Sequence, residues 1–270
     1  MRIHMLFSRV RKFYPGVFLL LTGLALSSCI TTTTGGFVIE ASEEQALDDY
    51  MQLAIAYYDA NDMQGARRHI TNAMNISDRD SSVYTVLALI YQREGDLQLA
   101  GENFQRAINL DRGNSRARNN YAVLLFELER YRDVYQQLER VANDVEYEGR
   151  AIAFENLGRA AIQLNRLSDA QIAFERALQL NPNLYVSALE SALVYFEMAD
   201  YERARSKFQN YLTISEYTGV PHSPRALLAG IQIEDYFQNQ RFVDNVVLVL
   251  ETLYRTSPEY QTYLSMQNGR

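Results

Sequence analysis

Side chains that could do covalent or metal chemistry are sparse in this sequence. Cys29 is its single cysteine, so no intramolecular disulfide can form. After the first 28 residues the only histidines are His69, in a predicted helix, and His222, in a proline-containing loop, and we do not expect them to meet. No zinc ligand set, nucleophile elbow or phosphate-binding loop is present in the sequence. We therefore expect no catalytic residue, metal, cofactor or small-molecule substrate.

The segment before Cys29 has the order of a secretory signal peptide. Basic residues lie between Arg2 and Lys12, an apolar run follows from Gly16 to Leu26, and Ser27 and Ser28 precede the cysteine. The apolar run has 11 residues, whereas a bilayer-spanning helix needs about 20. The sequence thus predicts a cleaved signal peptide over 1–28 rather than a membrane-spanning anchor.

The four residues Leu26-Ser-Ser-Cys29 resemble the lipobox of bacterial lipoproteins, whose cysteine is acylated and becomes the first mature residue. The alternatives are an ordinary cleavage site with a chance cysteine and a buried structural thiol. Several acyl chains on Cys29 would anchor the protein in membrane lipid. Ile30 stands where an aspartate would favour the inner membrane, so we expect the outer membrane and a protein facing the periplasm. Residues 29–42 are polar and predict a flexible tether.

The composition argues against a nucleic-acid partner and against a disordered chain. The net charge of −7 becomes −11 once the signal peptide, with four basic residues and no carboxylate, is removed. Such an acidic surface repels phosphate backbones, so we expect no nucleic acid. Hydrophobic residues make up 47% of the chain, while only 13 glycines and 5 prolines interrupt it. This composition is typical of a globular protein with long helices rather than of a disordered one.

A period of 34 residues organises the rest of the chain. The spacing Ala-x3-Phe-x2-Ala, with Ile or Tyr as occasional replacements, begins at Ala66, Ala100, Ala170 and Ala204. Two of the intervals between these alanines are 34 residues, the period of the tetratricopeptide repeat. Small residues at fixed places let paired helices approach closely, and the aromatic residues fill the gaps between pairs.

The pattern predicts an all-α solenoid of about six helix-turn-helix repeats over 43–260. We place the repeats at 47–80, 81–114, 115–148, 151–184, 185–218 and 226–259, with a C-terminal tail at 261–270. The third repeat is degenerate, and in the sixth the key positions fall on Asn245, Val249 and Thr252. Glycine and proline predict a loop at 219–224.

Tetratricopeptide arrays bind protein segments along one face of their first helices. Mapping the usual positions onto the first three repeats gives Met51, Ile55, Tyr58, Leu89, Gln92, Arg116, Asn119, Val123 and Phe126. Several are large and apolar, which favours a hydrophobic partner segment. The alternative is that they are ordinary core between repeats.

Three short stretches resemble a known family. They are Asn119-Asn-Tyr121, Tyr147-x2-Arg-x-Ile-Ala-Phe-Glu-Asn-Leu-Gly158 and Ser223-Pro-Arg-Ala-Leu-Leu-Ala-Gly-Ile-Gln-Ile-Glu234. With the lipobox, they are similar to the type IV pilus biogenesis lipoproteins called PilF or PilW. Ala229 departs from the family, which often has a tryptophan there.

The resemblance implies a pilotin, a lipoprotein that helps the secretin subunits of the pilus pore reach the outer membrane and multimerise. Secretin and outer-membrane lipid are then the expected partners. Two alternatives remain: a lipid-anchored adaptor for an envelope protease or cell-wall enzyme, and an enzyme with an unrecognised site. Two or more acids in a deep pocket would favour the second alternative.

Overall fold

The computed structural model describes residues 42–268, so the predicted signal peptide, Cys29 and nearly all of the predicted tether lie outside the described residues. The described residues form thirteen α-helices and no strand. Their bounds are α1 Glu43–Asp59, α2 Met63–Ile76, α3 Ser81–Glu94, α4 Leu97–Leu110, α5 Ser115–Glu127, α6 Tyr131–Asn143, α7 Arg150–Gln163, α8 Leu167–Leu180, α9 Tyr185–Glu197, α10 Tyr201–Thr218, α11 Pro224–Tyr236, α12 Gln240–Tyr254 and α13 Pro258–Asn268. Within 42–268, none of them has the length and apolar character needed to cross a membrane.

The helices pack in consecutive pairs, each odd-numbered helix against the even-numbered helix that follows. The seam of each pair is built from the small residues of the repeat pattern, and Ala66, Ala100, Ala170 and Ala204 are all fully buried. A methyl group on Gly158 would lie 2.7 Å from the ring of Phe174, which shows how closely α7 and α8 approach. These contacts confirm the predicted all-α repeat solenoid.

Each repeat turns between its two helices through one residue in the left-handed conformation. These residues are Asn61, Gly95, Glu129, Asn165, Ala199 and Gln238, with φ between 56° and 85°. Polar side chains then cap many of the following helices. Asp62, for example, accepts from the backbone N–H of Gly65 at 2.9 Å, and such a cap satisfies an N–H that the helix itself leaves unpaired. At the start of the fold, Ser42 caps α1 by accepting from the Gln45 N–H at 3.1 Å.

The predicted register of the sixth repeat is wrong by two residues. Asn245 and Thr252 are exposed, and Val249 is 40% exposed. The buried positions of α12 are instead Val243 and Leu250, with Val247 half-buried between them. The left-handed turn at Gln238 lies five residues before Val243, as Asn61 lies five before Ala66. The longer loop after α10 displaces this repeat, which begins at Pro224.

The chain after the sixth repeat is helical rather than a simple tail. The predicted boundary at residue 260 falls inside α13, whose Tyr260 is buried against Leu227, Ile231 and Leu250. Pro258 starts this helix, a position where its missing N–H costs nothing. A helix is needed here because the last repeat of a solenoid otherwise leaves an apolar face uncovered.

Candidate protein-binding groove

A groove of about 570 Å³ lies along the first helices of repeats one to three. Met51, Ile55 and Tyr58 of α1 line it, together with Val86 and Leu89 of α3. Ile55 is 38% exposed, whereas Val86 is only 6% exposed. These side chains recur every three or four residues, so each helix turns the same face to the groove. The groove therefore offers an apolar surface that no described residue covers.

Neighbouring repeats fix the walls. The guanidinium of Arg93 lies 4.4 Å from the ring centroid of Tyr58 and holds it across the start of the groove. Leu89 packs on the core that joins repeats two and three. At the far end Tyr147, in the loop after α6, closes the groove. Burial raises the pKa of Tyr147.

The rim of the groove is acidic. Asp59, Asp111, Asp144 and Glu146 line it, against a single basic side chain, Arg116. Ser115 donates a hydrogen bond of 2.5 Å to Asp144, and this bond lowers the pKa of that carboxyl group. The rim therefore carries net negative charge at neutral pH, and complementary charge on a partner would favour association.

Most of the predicted groove residues line one of two cavities. Met51, Ile55, Tyr58, Leu89 and Arg116 line the groove. Val123 and Phe126 instead line a separate hollow of about 250 Å³ between α5 and α7, with Asn156 and Arg159.

Two other predicted positions line neither cavity. Gln92 donates a hydrogen bond of 3.2 Å to Glu127 and so lies between the two cavities. Asn119 also lies on α5, and its Oδ1 is buried without a hydrogen-bond partner in the described part of the chain. Seven of the nine predicted residues therefore line two cavities instead of one groove, and two line neither.

Sequence reasoning missed the loop residues of the groove. Tyr147 and the acids Asp111, Asp144 and Glu146 come from loops that follow second helices, whereas the mapping considered only first helices. Tyr147 did carry a signal, since it begins one of the family-like stretches. The acids carried none, because nothing in their local sequence shows which loops meet.

The residues that could do chemistry are dispersed in the structure. His69 stacks on Tyr57 with ring centroids 5.1 Å apart, while His222 contacts Tyr211 through a hydrogen bond of 3.0 Å. Between residues 42 and 268, no group of three or more histidine, cysteine or acidic residues is arranged to hold a metal ion. Of the groove's acids, Asp59, Asp111 and Glu146 are exposed and Asp144 is half-buried, so none lies in a deep pocket. This arrangement suits the binding of a protein segment.

Comparison with known proteins identifies a matching repeat family and a relative of this chain. The tetratricopeptide repeat family matches residues 81–114 and 151–184. The type IV pilus assembly protein PilF of Pseudomonas aeruginosa is 31% identical over 248 residues, which cover 92% of this chain and 96% of that protein.

Solved structures agree with this match. A structure of Pseudomonas aeruginosa PilF superposes with a TM-score of 0.76 at 30% identity, over 83% of this chain and 99% of that one. The crystal structure of PilW, described as a widely conserved type IV pilus biogenesis factor, has the same fold, with a TM-score of 0.69 at 23% identity over 82% of this chain and 99% of that one. The chain therefore belongs to the PilF family of tetratricopeptide-repeat proteins of type IV pilus biogenesis.

Proposed function

We propose that the protein is a pilotin, an outer-membrane lipoprotein that binds secretin subunits of the type IV pilus and promotes their localisation and multimerisation. The observation that supports this most is the uncovered apolar groove of repeats one to three, in a chain that belongs to the PilF family. An exposed apolar surface of this kind costs free energy in water, and a partner that covers it recovers that free energy.

The groove defines the chemistry of the segment that it would hold. Ile55, Leu89 and Met51 favour aliphatic or aromatic side chains in the centre. Asp59 and Glu146, at the rim, favour lysine or arginine on either side of that apolar stretch. We therefore propose that the bound secretin segment is apolar and flanked by basic residues.

Lipidation of Cys29 would supply the membrane address. Residues 29–42 would reach about 45 Å if fully extended, so the repeats could stand away from the membrane and bind secretin before it inserts. In this proposal the protein acts by binding and transport and catalyses no reaction.

The proposal is tested by isolating the full-length protein, with an affinity tag at its C-terminus, from envelope extracts and identifying what accompanies it. We expect secretin subunits, and we expect a deletion strain to contain secretin monomers in place of multimers resistant to detergent. Recovery of an envelope protease or a cell-wall hydrolase without secretin would instead support the adaptor alternative. A deletion strain with normal secretin multimers in the outer membrane would refute the pilotin proposal.

A further inference from the structure

A second cavity, separate from the groove, is lined by arginines. It has a volume of about 450 Å³ between α4, α5 and α6, and Arg112, Arg118, Arg130 and Arg140 line it. An adjoining hollow of about 390 Å³ shares Arg112, Arg118 and Arg140. We call these three residues the arginine cluster. Its presence is unexpected in a chain whose net charge is −7.

Arg118 occupies a position that is aromatic in the neighbouring repeats. Counted from the start of each repeat, it stands where Tyr50, Tyr84 and Phe154 stand. Tyr84 donates a hydrogen bond of 2.8 Å to the carbonyl of Asp78. Arg118 donates to the equivalent carbonyl, that of Arg112, from Nη2 at 3.0 Å and from Nε at 3.3 Å. The arginine thus makes the structural contact that the tyrosine makes, and it brings a charge that this contact does not require.

The charge of Arg118 is buried without a carboxylate partner. The residue is only 5% exposed, and its one further hydrogen bond runs from Nη1 to Oε1 of Gln137 at 2.9 Å. A guanidinium has five N–H groups, so these bonds leave part of its donor capacity unused. Burying an unpaired charge is costly unless something neutralises it.

The other two arginines of the cluster increase this cost. Arg140 is the repeat equivalent of Arg106, whose guanidinium lies 4.1 Å from the ring centroid of Tyr84. In the third repeat the ring is replaced by the guanidinium of Arg118, so Arg140 meets a like charge. Burial, followed by repulsion from Arg140 and Arg112, lowers the pKa of Arg118. Among the described residues, the guanidinium groups of Arg112 and Arg140 make no ion pair.

Three acids lie near the cluster, and one of them, Asp144, also lines the adjoining hollow. Asp133 accepts from Nε of Arg130 at 2.7 Å, and Asp144 accepts from Ser115 at 2.5 Å. Asp111 accepts a hydrogen bond of 2.8 Å from the backbone N–H of Gly113. Its negative charge raises the pKa of Arg118, but by less than Arg140 and Arg112 lower it. The 450 Å³ cavity is lined by four arginines and by one acid, Asp133, so its lining carries a net positive charge.

We propose that the arginine cluster is a binding site for a phosphate-bearing ligand. One guanidinium fork satisfies a carboxylate, whose two oxygens it matches. A phosphate group presents three or four oxygens and more negative charge, so it can accept from several guanidiniums at once. An inorganic phosphate and the phosphate of an anionic lipid headgroup share this chemistry. The 450 Å³ cavity shares no lining residue with the groove, so the proposal does not rest on the proposed groove function.

The repeat pattern supplies variants that separate binding from folding. Arg118→Tyr restores the residue of the second repeat, whose hydroxyl can bond the Arg112 carbonyl and whose ring can receive Arg140. Arg140→Gln removes an exposed charge that makes no described contact. Arg176→Gln is the matched control, because Arg176 is the equivalent residue one repeat later and bonds Gln179 at 2.9 Å.

Binding is measured by calorimetry on the full-length protein in detergent, with inorganic phosphate and, separately, with dihexanoyl phosphatidylglycerol; sodium acetate is the carboxylate control. We expect phosphate-bearing probes to bind, and we expect Arg118→Tyr and Arg140→Gln each to weaken binding by about tenfold or more. Arg176→Gln should bind as the wild type does, and circular dichroism should show native helicity in all variants. Tighter binding of one probe identifies the source of the phosphate.

Three results would overturn the proposal. The first is that neither phosphate probe binds the wild-type protein. The second is that acetate or an acidic peptide binds as tightly as both phosphate probes. The third is that Arg140→Gln, which does not touch the core, leaves phosphate affinity unchanged. If Arg118→Tyr fails to fold, Arg140→Gln still decides between these outcomes.

Discussion

Replacement of Ile55 by lysine should weaken partner binding strongly without unfolding the repeats. Full burial of an isoleucine side chain contributes about 1.5–3 kcal/mol, and Ile55 leaves 38% of its surface exposed. A partner that covers this surface gains about 1 kcal/mol, which corresponds to about a fivefold change in Kd. Ile55→Ala should therefore weaken binding by about fivefold.

A lysine at this position has a larger effect. Its ammonium must lose water when the groove fills, which adds on the order of 1–3 kcal/mol. It would also lie one helical turn before Asp59 and neutralise an acid of the rim. We expect Ile55→Lys to weaken secretin binding by about thirtyfold or more. The free protein should keep its stability within about 0.5 kcal/mol, because the side chain lies at the surface of α1.

The assay compares the affinity of purified secretin subunits for the wild-type full-length protein and four variants, by surface plasmon resonance in detergent. Leu253→Lys is the control, since Leu253 is 66% exposed on α12, outside the groove. Val123→Lys tests whether the hollow beside α7 contributes, because Val123 is 47% exposed there. An Ile55→Lys protein of native helicity that binds secretin as the Leu253→Lys control does would refute the groove as the binding site.

Four further predictions follow from the repeats and the chain before them. Ala100→Leu and Ala170→Leu should each lower stability by about 1–3 kcal/mol in thermal unfolding, because both residues are fully buried at a helix seam; unchanged midpoints for both would contradict the repeat register. Ala199→Gly should raise stability by about 0.5–1 kcal/mol, since Ala199 has φ of 59°, and a destabilised variant would refute this reading of the turn. Cys29→Ser should give a folded protein that is absent from the membrane fraction and takes up no labelled palmitate; a variant that still labels and pellets with outer membrane would defeat the lipoprotein prediction. Burial, with the hydrogen bond to Glu175, raises the pKa of Tyr195 to about 12, above the value near 10 of an unfolded chain. The stability from its neutral phenol is therefore complete below about pH 10 and lost as the pH rises to about 12, and Tyr195→Phe should lose less stability over that range in alkaline denaturation.

The sixth repeat shows where a sequence pattern stops being sufficient. In the first five repeats, an alanine or valine in the small place and a large residue four positions later mark the register. In α12 four neighbouring positions, from Val246 to Val249, are all apolar, so several registers fit the pattern equally well. Burial of Val243 and Leu250, together with the backbone turn at Gln238, selects one of them. The longer loop before this repeat shifts its positions away from the 34-residue count, and only the packing of α12 shows by how much.

For the arginine cluster, the sequence shows the unusual residue but not its surroundings. A position that should be aromatic in the third repeat is visible in the sequence as Arg118, yet an arginine at that place is compatible with a solvated side chain. The structure shows that it is buried and that Arg140 and Arg112 stand beside it. The unusual residue type is thus a property of the sequence, while the burial of its charge beside two other arginines is a property of the packing.

The sequence by itself determined the helical repeat, its period and the family, because close approach of paired helices requires small residues at fixed intervals along the chain. It also placed Met51, Ile55, Tyr58, Leu89 and Arg116 in the groove, since positions on one helix face follow from the helical period. Only the tertiary structure decided that Tyr147 and the acidic loops close this groove and that Val123 lies outside it. Loops about 34 residues apart meet only after the repeats have stacked, and the angle of each stack depends on all the side chains between neighbouring helices.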